Sequence, residues 1–352
     1  MAMNRMNREE FYARLDVLDE ARLKKALWAV YWRSAVPVRE RIEAETAPVA
    51  PAPRRPVTSG PPDPQRVLDE VRGFTALART GSYMAGDRRV SPRERSGWRF
   101  TFRRLAADAQ AALAAQECGP AREAVADLVD LAVEVKSYDH FRSEDPMEAA
   151  GFVASDVVAR LWGRVLELRG VDGLAEQAME QLVRWESPYG WTRSGWGKVS
   201  EKETTLAVVL ERLLRDPGAW VECADGYLRA LDEVAQTDPG HARASYGSVD
   251  YLRKDRARSL AEWNGMLLER LVDYDAADRL DKIAGHPAFA GAEHRLFQAK
   301  LARQRGETQR ARDLVEEGLA ELPGHEELHD LAAQTGAVVP ESARAGMARH
   351  GL

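Results

Sequence analysis

An all-α fold is predicted by three features of the sequence. Hydrophobic residues make up 45% of the 352 residues and charged ones 30%, with Ala, Leu, Glu and Arg prominent, a helix-forming composition. No run alternates apolar and polar residues with β-branched enrichment, so strands are not expected. Small residues recur near the C-terminus at a spacing typical of helical hairpins.

The first module is read as residues 1–45. Asn7 and Glu10 fit a capping box, and Asp19 caps a second helix. Leu23, Ala26, Leu27, Val30 and Tyr31 follow at helical spacing, widened by Trp28 and Trp32. A face carrying two Trp and a Tyr reads as core. Pro37 starts a third short helix running to Glu45. Residues 46–65 hold seven of the 17 prolines; with fixed φ and no donor they form a flexible extended linker, which could also serve a proline-reading partner.

Residues 66–255 read as stacked helical hairpins. Ser91, Pro92 and Glu94 give a cap, a first-turn proline and a capping-box acid, opening a helix to about Gln116. Helices are expected at about 121–136, 147–169 and 173–185. Residues 187–199, SPYGWTRSGWGKV, form a loop. Ser200 with Glu203 reads as another capping box, opening a helix to Leu214; others follow at 218–236 and 248–271.

In the region 256–338, Ala299, Ala311, Gly318 and Pro323 stand 12, 7 and 5 residues apart, with Gly306 at a turn. Ala311, Leu314, Val315, Leu319 and Leu322 form one helical stripe. Thirty-four residues earlier stand Gly265, Ala277 and Ala284, with Leu260, Trp263, Leu267 and Leu271 as a first-helix face; 34 later stands Ala333. These spacings resemble the tetratricopeptide repeat over about residues 260–335. The resemblance implies an α-α hairpin solenoid and a protein-binding surface. Residues 339–352 are a tail.

Charge and cysteine content narrow the function classes. A net charge of −6 argues against a chain that coats nucleic acid. Cys118 and Cys223, 105 positions apart, suit neither a disulfide framework nor a thiolate zinc site, and read as thiols in a reducing compartment. With no apolar leader and no 20-residue apolar run, the protein is expected to be cytoplasmic and without a membrane partner.

Four clusters could carry chemistry. The loop residues Tyr189, Trp191, Arg193, Trp196 and Lys198 suit partner recognition, or burial of the loop's own aromatics. Eight arginines between Arg79 and Arg104, opposed only by Asp87 and Glu94, include Arg88, Arg89, Arg99, Arg103 and Arg104; they could hold phosphates or an acidic partner. Alternatively, this basic stretch packs on residues 117–186, which carry 15 acids against 7 bases, with Trp98 and Phe102 turned inward. His325, Glu326 and His329 spell HExxH, but Ala332 and Thr335 stand where a metzincin needs Gly and His, and only Glu341 and His350 follow as candidates for a third ligand; surface zinc binding by His325 and His329 is preferred over a catalytic zinc, and both are secondary to a plain helix in phase with the repeat. Tyr138, His140, Arg142 and Asp145 cluster before the 147 helix. No GxSxG or GxGxxG occurs. The leading expectation is a non-catalytic protein–protein scaffold without a cofactor, bound to an unidentified protein. The alternatives are a nucleic-acid-binding regulator acting through residues 88–104 and, third, a zinc metallopeptidase.

Overall fold

A computed structural model describes residues 8–35, 38, 39, 42, 46, 60–84, 86, 87, 89–244, 247–271, 277–341 and 343; the expected Asn7 cap and most of the 37–45 helix, of the linker and of the tail lie outside the described residues. Among the described residues are 15 α-helices and no strand, beyond one isolated bridge between Tyr83 and Phe141. The chain is all-α.

The N-terminal helices are α1 (Arg8–Asp16) and α2 (Glu20–Arg33). Asp19 caps α2, its carboxylate accepting the Arg22 N–H at 2.7 Å. The expectation that α2 forms a core is overturned. No residue from 9 to 35 is buried, and Trp28 and Trp32 are 59% and 69% exposed. Apolar periodicity specifies a face to be covered, and nothing in the described chain covers it.

The remaining helices are α3 (Pro64–Arg79), α4 (Pro92–Ala112), α5 (Gly119–Glu134), α6 (Pro146–Ala150), α7 (Ala154–Trp185), α8 (Leu206–Leu213), α9 (Pro217–Ala244), α10 (Val249–Ser259), α11 (Ala261–Leu271), α12 (Asp278–Ala284), α13 (Ala292–Gln304), α14 (Thr308–Glu321) and α15 (Glu326–Thr335). Alternate members pack on one another in a row: α3 on α5, α5 on α7, α7 on α9, α9 on α11, α11 on α13, and α13 on α15. One apolar core runs from Val67 to Leu301, and a second cluster joins α13 to α15 around Ala299, Val315, Leu319 and Leu328.

Local chemistry explains most boundaries. The Ser91 capping box forms in both directions, with Ser91 N–H to Glu94 at 2.9 Å and Glu94 N–H to Ser91 Oγ at 3.2 Å. The helix expected from 147 begins instead at Ala154, because Gly151 at φ 63° closes α6 first. Gly170, at φ 67° and ψ −165°, interrupts α7 where two helices were expected. The helix expected over 248–271 divides at the fully buried Leu260.

The Ser200–Glu203 capping box does not form. Ser200–Lys202 is a 3-10 turn, and Thr205 caps α8. Glu203 reaches 48 and 49 residues back to the start of α7, accepting N–H bonds from Ala154 at 2.7 Å and Ser155 at 3.0 Å. That helix start has no side-chain cap of its own, so a distant carboxylate satisfies its orphan donors.

Two glycines set helix approach. A Cβ on Gly226 of α9 would lie 2.6 Å from the carbonyl oxygen of Ala175 in α7, so these backbones touch. A Cβ on Gly318 of α14 would lie 2.7 Å from Leu328 Cδ1 of α15.

Candidate binding cleft

The loop after α7 is tied to the body by side chains from three directions. Lys136, at the end of α5, donates to Ser187 Oγ at 2.6 Å and to the Gly190 carbonyl at 2.5 Å. Asp145 accepts from Ser194 N–H at 3.0 Å and Ser194 Oγ at 2.8 Å. Glu148 accepts the Lys198 and Val199 N–H groups at 3.0 and 2.8 Å. A glycine-rich segment therefore holds one conformation without regular secondary structure, because its backbone donors end in carboxylates.

This support sorts the five loop residues. Trp191 is buried. Arg193 turns inward, donating to the Val135 carbonyl at 2.5 Å, the Tyr138 carbonyl at 2.6 Å and Asp139 at 2.7 Å. Lys198 is exposed. Tyr189 and Trp196 project outward, 66% and 76% exposed. The outward-facing aromatics are thus Tyr189 and Trp196, while Trp191 and Arg193 belong to the support.

Tyr189 stands at the junction of two clefts. One, of about 810 Å³, lies between Pro188, Tyr189 and Thr205 on one side and α11 and α13 on the other, where Glu262, Gly265, Leu296 and Lys300 line it. The second, of about 310 Å³, runs beneath the loop past Ser187, Gly195, Glu203 and Thr205. Pro188, Tyr189 and Thr205 line both. Charges of both signs face the larger cleft: Arg258 and Lys300 against Glu262, Glu293 and Glu327. Lys300 pairs with Glu327 at 2.5 Å.

Glu186 sits beneath the loop, its carboxylate accepting N–H bonds from Ser187 at 2.8 Å and Ala207 at 2.9 Å. Burial, reinforced by the charge of Glu262, pushes its pKa up to about 7 against the pull of those bonds. Burial also raises Glu203 and lowers Lys136.

The arginines of the basic stretch serve other contacts. Arg88 lies outside the described residues. Arg89 grips Asp87 at 2.5 Å and the Thr80 carbonyl at 2.5 Å. Arg103 donates to the Ala150 carbonyl at 2.9 Å, and Arg104 bridges Glu70 at 2.8 Å and Asp108 at 3.0 Å. Arg99 lies over the Phe100 ring, 4.7 Å from its centroid. Trp98 and Phe102 are buried on the inner side of α4.

The HExxH histidines diverge. His325 is the N-cap of α15, its Nδ1 accepting the Leu328 N–H at 3.4 Å, while Nε2 faces Glu293 at 3.2 Å. His329 Nε2 bonds to the Pro323 carbonyl at 2.8 Å. The hydrogen bond to Glu293 raises the His325 pKa and lowers that of Glu293. No group of three or more His, Cys, Asp or Glu among the described residues is arranged to hold a metal ion.

Comparison of the chain with protein-family profiles, curated proteins and solved structures returns no match. Both cysteines are buried and unpaired, and burial pushes the Cys223 thiol up to about 12, which leaves it unreactive at neutral pH. Tyr138 is exposed and His140 faces Glu134 at 3.4 Å, while Asp145 is used in holding the loop. No described helix is long and apolar enough to cross a membrane. The cleft itself carries no local sequence signal, since its walls are drawn from distant parts of the chain, Pro188 to Thr205 on one side and Arg258 to Glu327 on the other; only the aromatics of the loop pointed to it.

Proposed function

We propose that the chain is a non-catalytic scaffold, an α-α hairpin solenoid that binds a segment of a partner protein across the cleft between its loop and its tetratricopeptide-like C-terminal hairpins. The observation that carries this reading is a fixed loop presenting two exposed aromatics, Tyr189 at the junction of the two clefts and Trp196 next in the chain to Gly195, which lines the smaller one. A preorganised aromatic loses little entropy on binding, and aromatics dominate interface energies. The mixed charges lining the cleft suit a polypeptide better than a polyanion. The row of alternate helix contacts supports the solenoid reading.

Nucleic-acid binding through residues 88–104 receives less support, because Arg89, Arg103 and Arg104 are engaged by carboxylates and carbonyls of the same chain. The test is capture of partners on tagged full-length protein after nuclease treatment, beside the double variant Tyr189→Ala, Trp196→Ala. A stoichiometric protein retained by the wild type and lost about tenfold or more by the variant is expected. Partners removed by nuclease and unaffected by the variant would shift the reading to the arginine segment.

A further inference from the structure

The larger cleft has a polar group set into an otherwise small and apolar floor. Ala261, Asn264 and Gly265, spaced i, i+3 and i+4 on α11, line it together. A Cβ on Gly265 would meet only open space, so a ligand's main chain can approach this floor closely. Leu296 and Phe297 of α13 line the same cleft, and Leu322, just past α14, is 42% exposed beside them.

Asn264 is almost wholly buried, with 3% of it exposed. An amide so placed is oriented by whatever takes its two ends. The fully buried Tyr227 of α9, whose ring meets Trp263 edge-on with centroids 6.2 Å apart, donates its hydroxyl to Asn264 Oδ1 at 2.9 Å. Burial raises the Tyr227 pKa well above its ordinary value, so this hydroxyl stays protonated and able to donate. The other end, Nδ2, has no acceptor among the described residues, and Asn264 lines the cleft. It is a donor already oriented for an acceptor that arrives there.

The surrounding charges indicate what brings that acceptor. Lys300 pairs with Glu327, and Glu293 pairs with His325 at 3.2 Å and lies in the field of Arg258. Glu262 forms no ion pair among the described residues. An uncompensated carboxylate beside the floor favours a cationic ligand and disfavours a polyanion. A helical ligand has its carbonyls tied up in its own ladder, whereas an extended polypeptide carries free ones along both edges.

We infer that the cleft takes an extended segment of a partner polypeptide whose main-chain carbonyl accepts from Asn264 Nδ2, with a Lys or Arg of that segment against Glu262 and an apolar side chain against Leu296 and Leu322. This rests on the cleft being the partner site, and adds how the partner is read there. Asn264 engages the main chain, Tyr227 positions Asn264, and Glu262 selects for charge.

The probe is a random peptide library displayed on phage and panned on the full chain. The best peptide is then titrated by calorimetry into the wild type, Tyr227→Phe, and Tyr227→Phe with Asn264→Leu. In the double variant both members of the buried pair become apolar at similar volume, so no orphaned polar group burdens the fold; thermal unfolding checks that all three proteins fold. Selected peptides should contain Lys or Arg. The best should bind Tyr227→Phe within a few-fold of the wild type and the double variant about tenfold more weakly. Replacing one peptide amide by an ester, which weakens its carbonyl as an acceptor, should weaken binding to the wild type and leave binding to the double variant unchanged, a difference that a merely structural Asn264 would not produce. Binding lost in Tyr189→Ala but kept in full by the double variant would overturn the inference and spare the cleft reading. So would an ester scan that no position distinguishes, or selected peptides rich in Asp and Glu. Failure of every library peptide to bind, or binding indifferent to Tyr189→Ala, would overturn both.

Discussion

The two C-terminal hairpins share a sequence spacing but not a structure. In the second, α13 and α14 run 13 and 14 residues; in the first, α11 and α12 run 11 and 7. Ala299 in α13 is fully buried, whereas Gly265, its counterpart 34 residues earlier, lines the cleft with open space where a Cβ would stand. Gly318 lies against Leu328, while its counterpart Ala284 is the last residue of α12. Gly285 follows, and Pro287 disfavours helix at His286, so the chain turns away early. Small residues at fixed spacing mark where helices can approach; whether they do depends on where the next helix arrives.

The largest effect that would separate the two hairpins is a pH response. His294, at the start of α13, is buried and its Nε2 bonds to the Ala284 carbonyl at 2.9 Å. Burial holds its pKa down to about 4. The unfolded chain then takes up the proton first as pH falls below about 6.5, and stability declines down to about 4, by about 3 kcal/mol in all. Denaturant unfolding of His294→Phe, which keeps a ring beside Phe289 and Phe297, should lack that decline. Glu186 acts with the opposite sign. Its folded pKa of about 7 exceeds the ordinary 4.5, so the folded chain holds the proton longer. Stability then falls by about 3 kcal/mol as pH rises from about 4.5 to 7, and Glu186→Gln should flatten that rising-pH loss. An unchanged slope in either variant would remove the assigned cause.

Packing should give a smaller contrast. Gly318→Val forces a branched side chain toward Leu328 and should cost about 2 kcal/mol in thermal or denaturant unfolding. Gly265→Ala places its methyl in open space within a helix and should gain about 0.5 to 1 kcal/mol. Equal effects at the two positions would mean that both hairpins are closed alike, contrary to the structure described.

The sequence made the helical class legible, together with the Ser91 start, the Gly170 interruption and the inward turn of Trp98 and Phe102, because each is written in local spacing and capping chemistry. What escaped depended on distant partners. Glu203 looked like a local cap but its carboxylate is taken by Ala154 and Ser155. Trp28 and Trp32 looked like core, yet no described element meets them. Within the loop, Trp191 and Trp196 have similar glycine-rich surroundings in sequence, and only the position of the body buries one and exposes the other.

The central claim is that partners bind at the cleft edged by Tyr189. Hydrogen–deuterium exchange of the full chain, with and without a captured partner, tests it most directly. The account predicts new protection in residues 188–205, 261–265 and 293–300. Protection confined to residues 89–104, or none in these three segments, would contradict it.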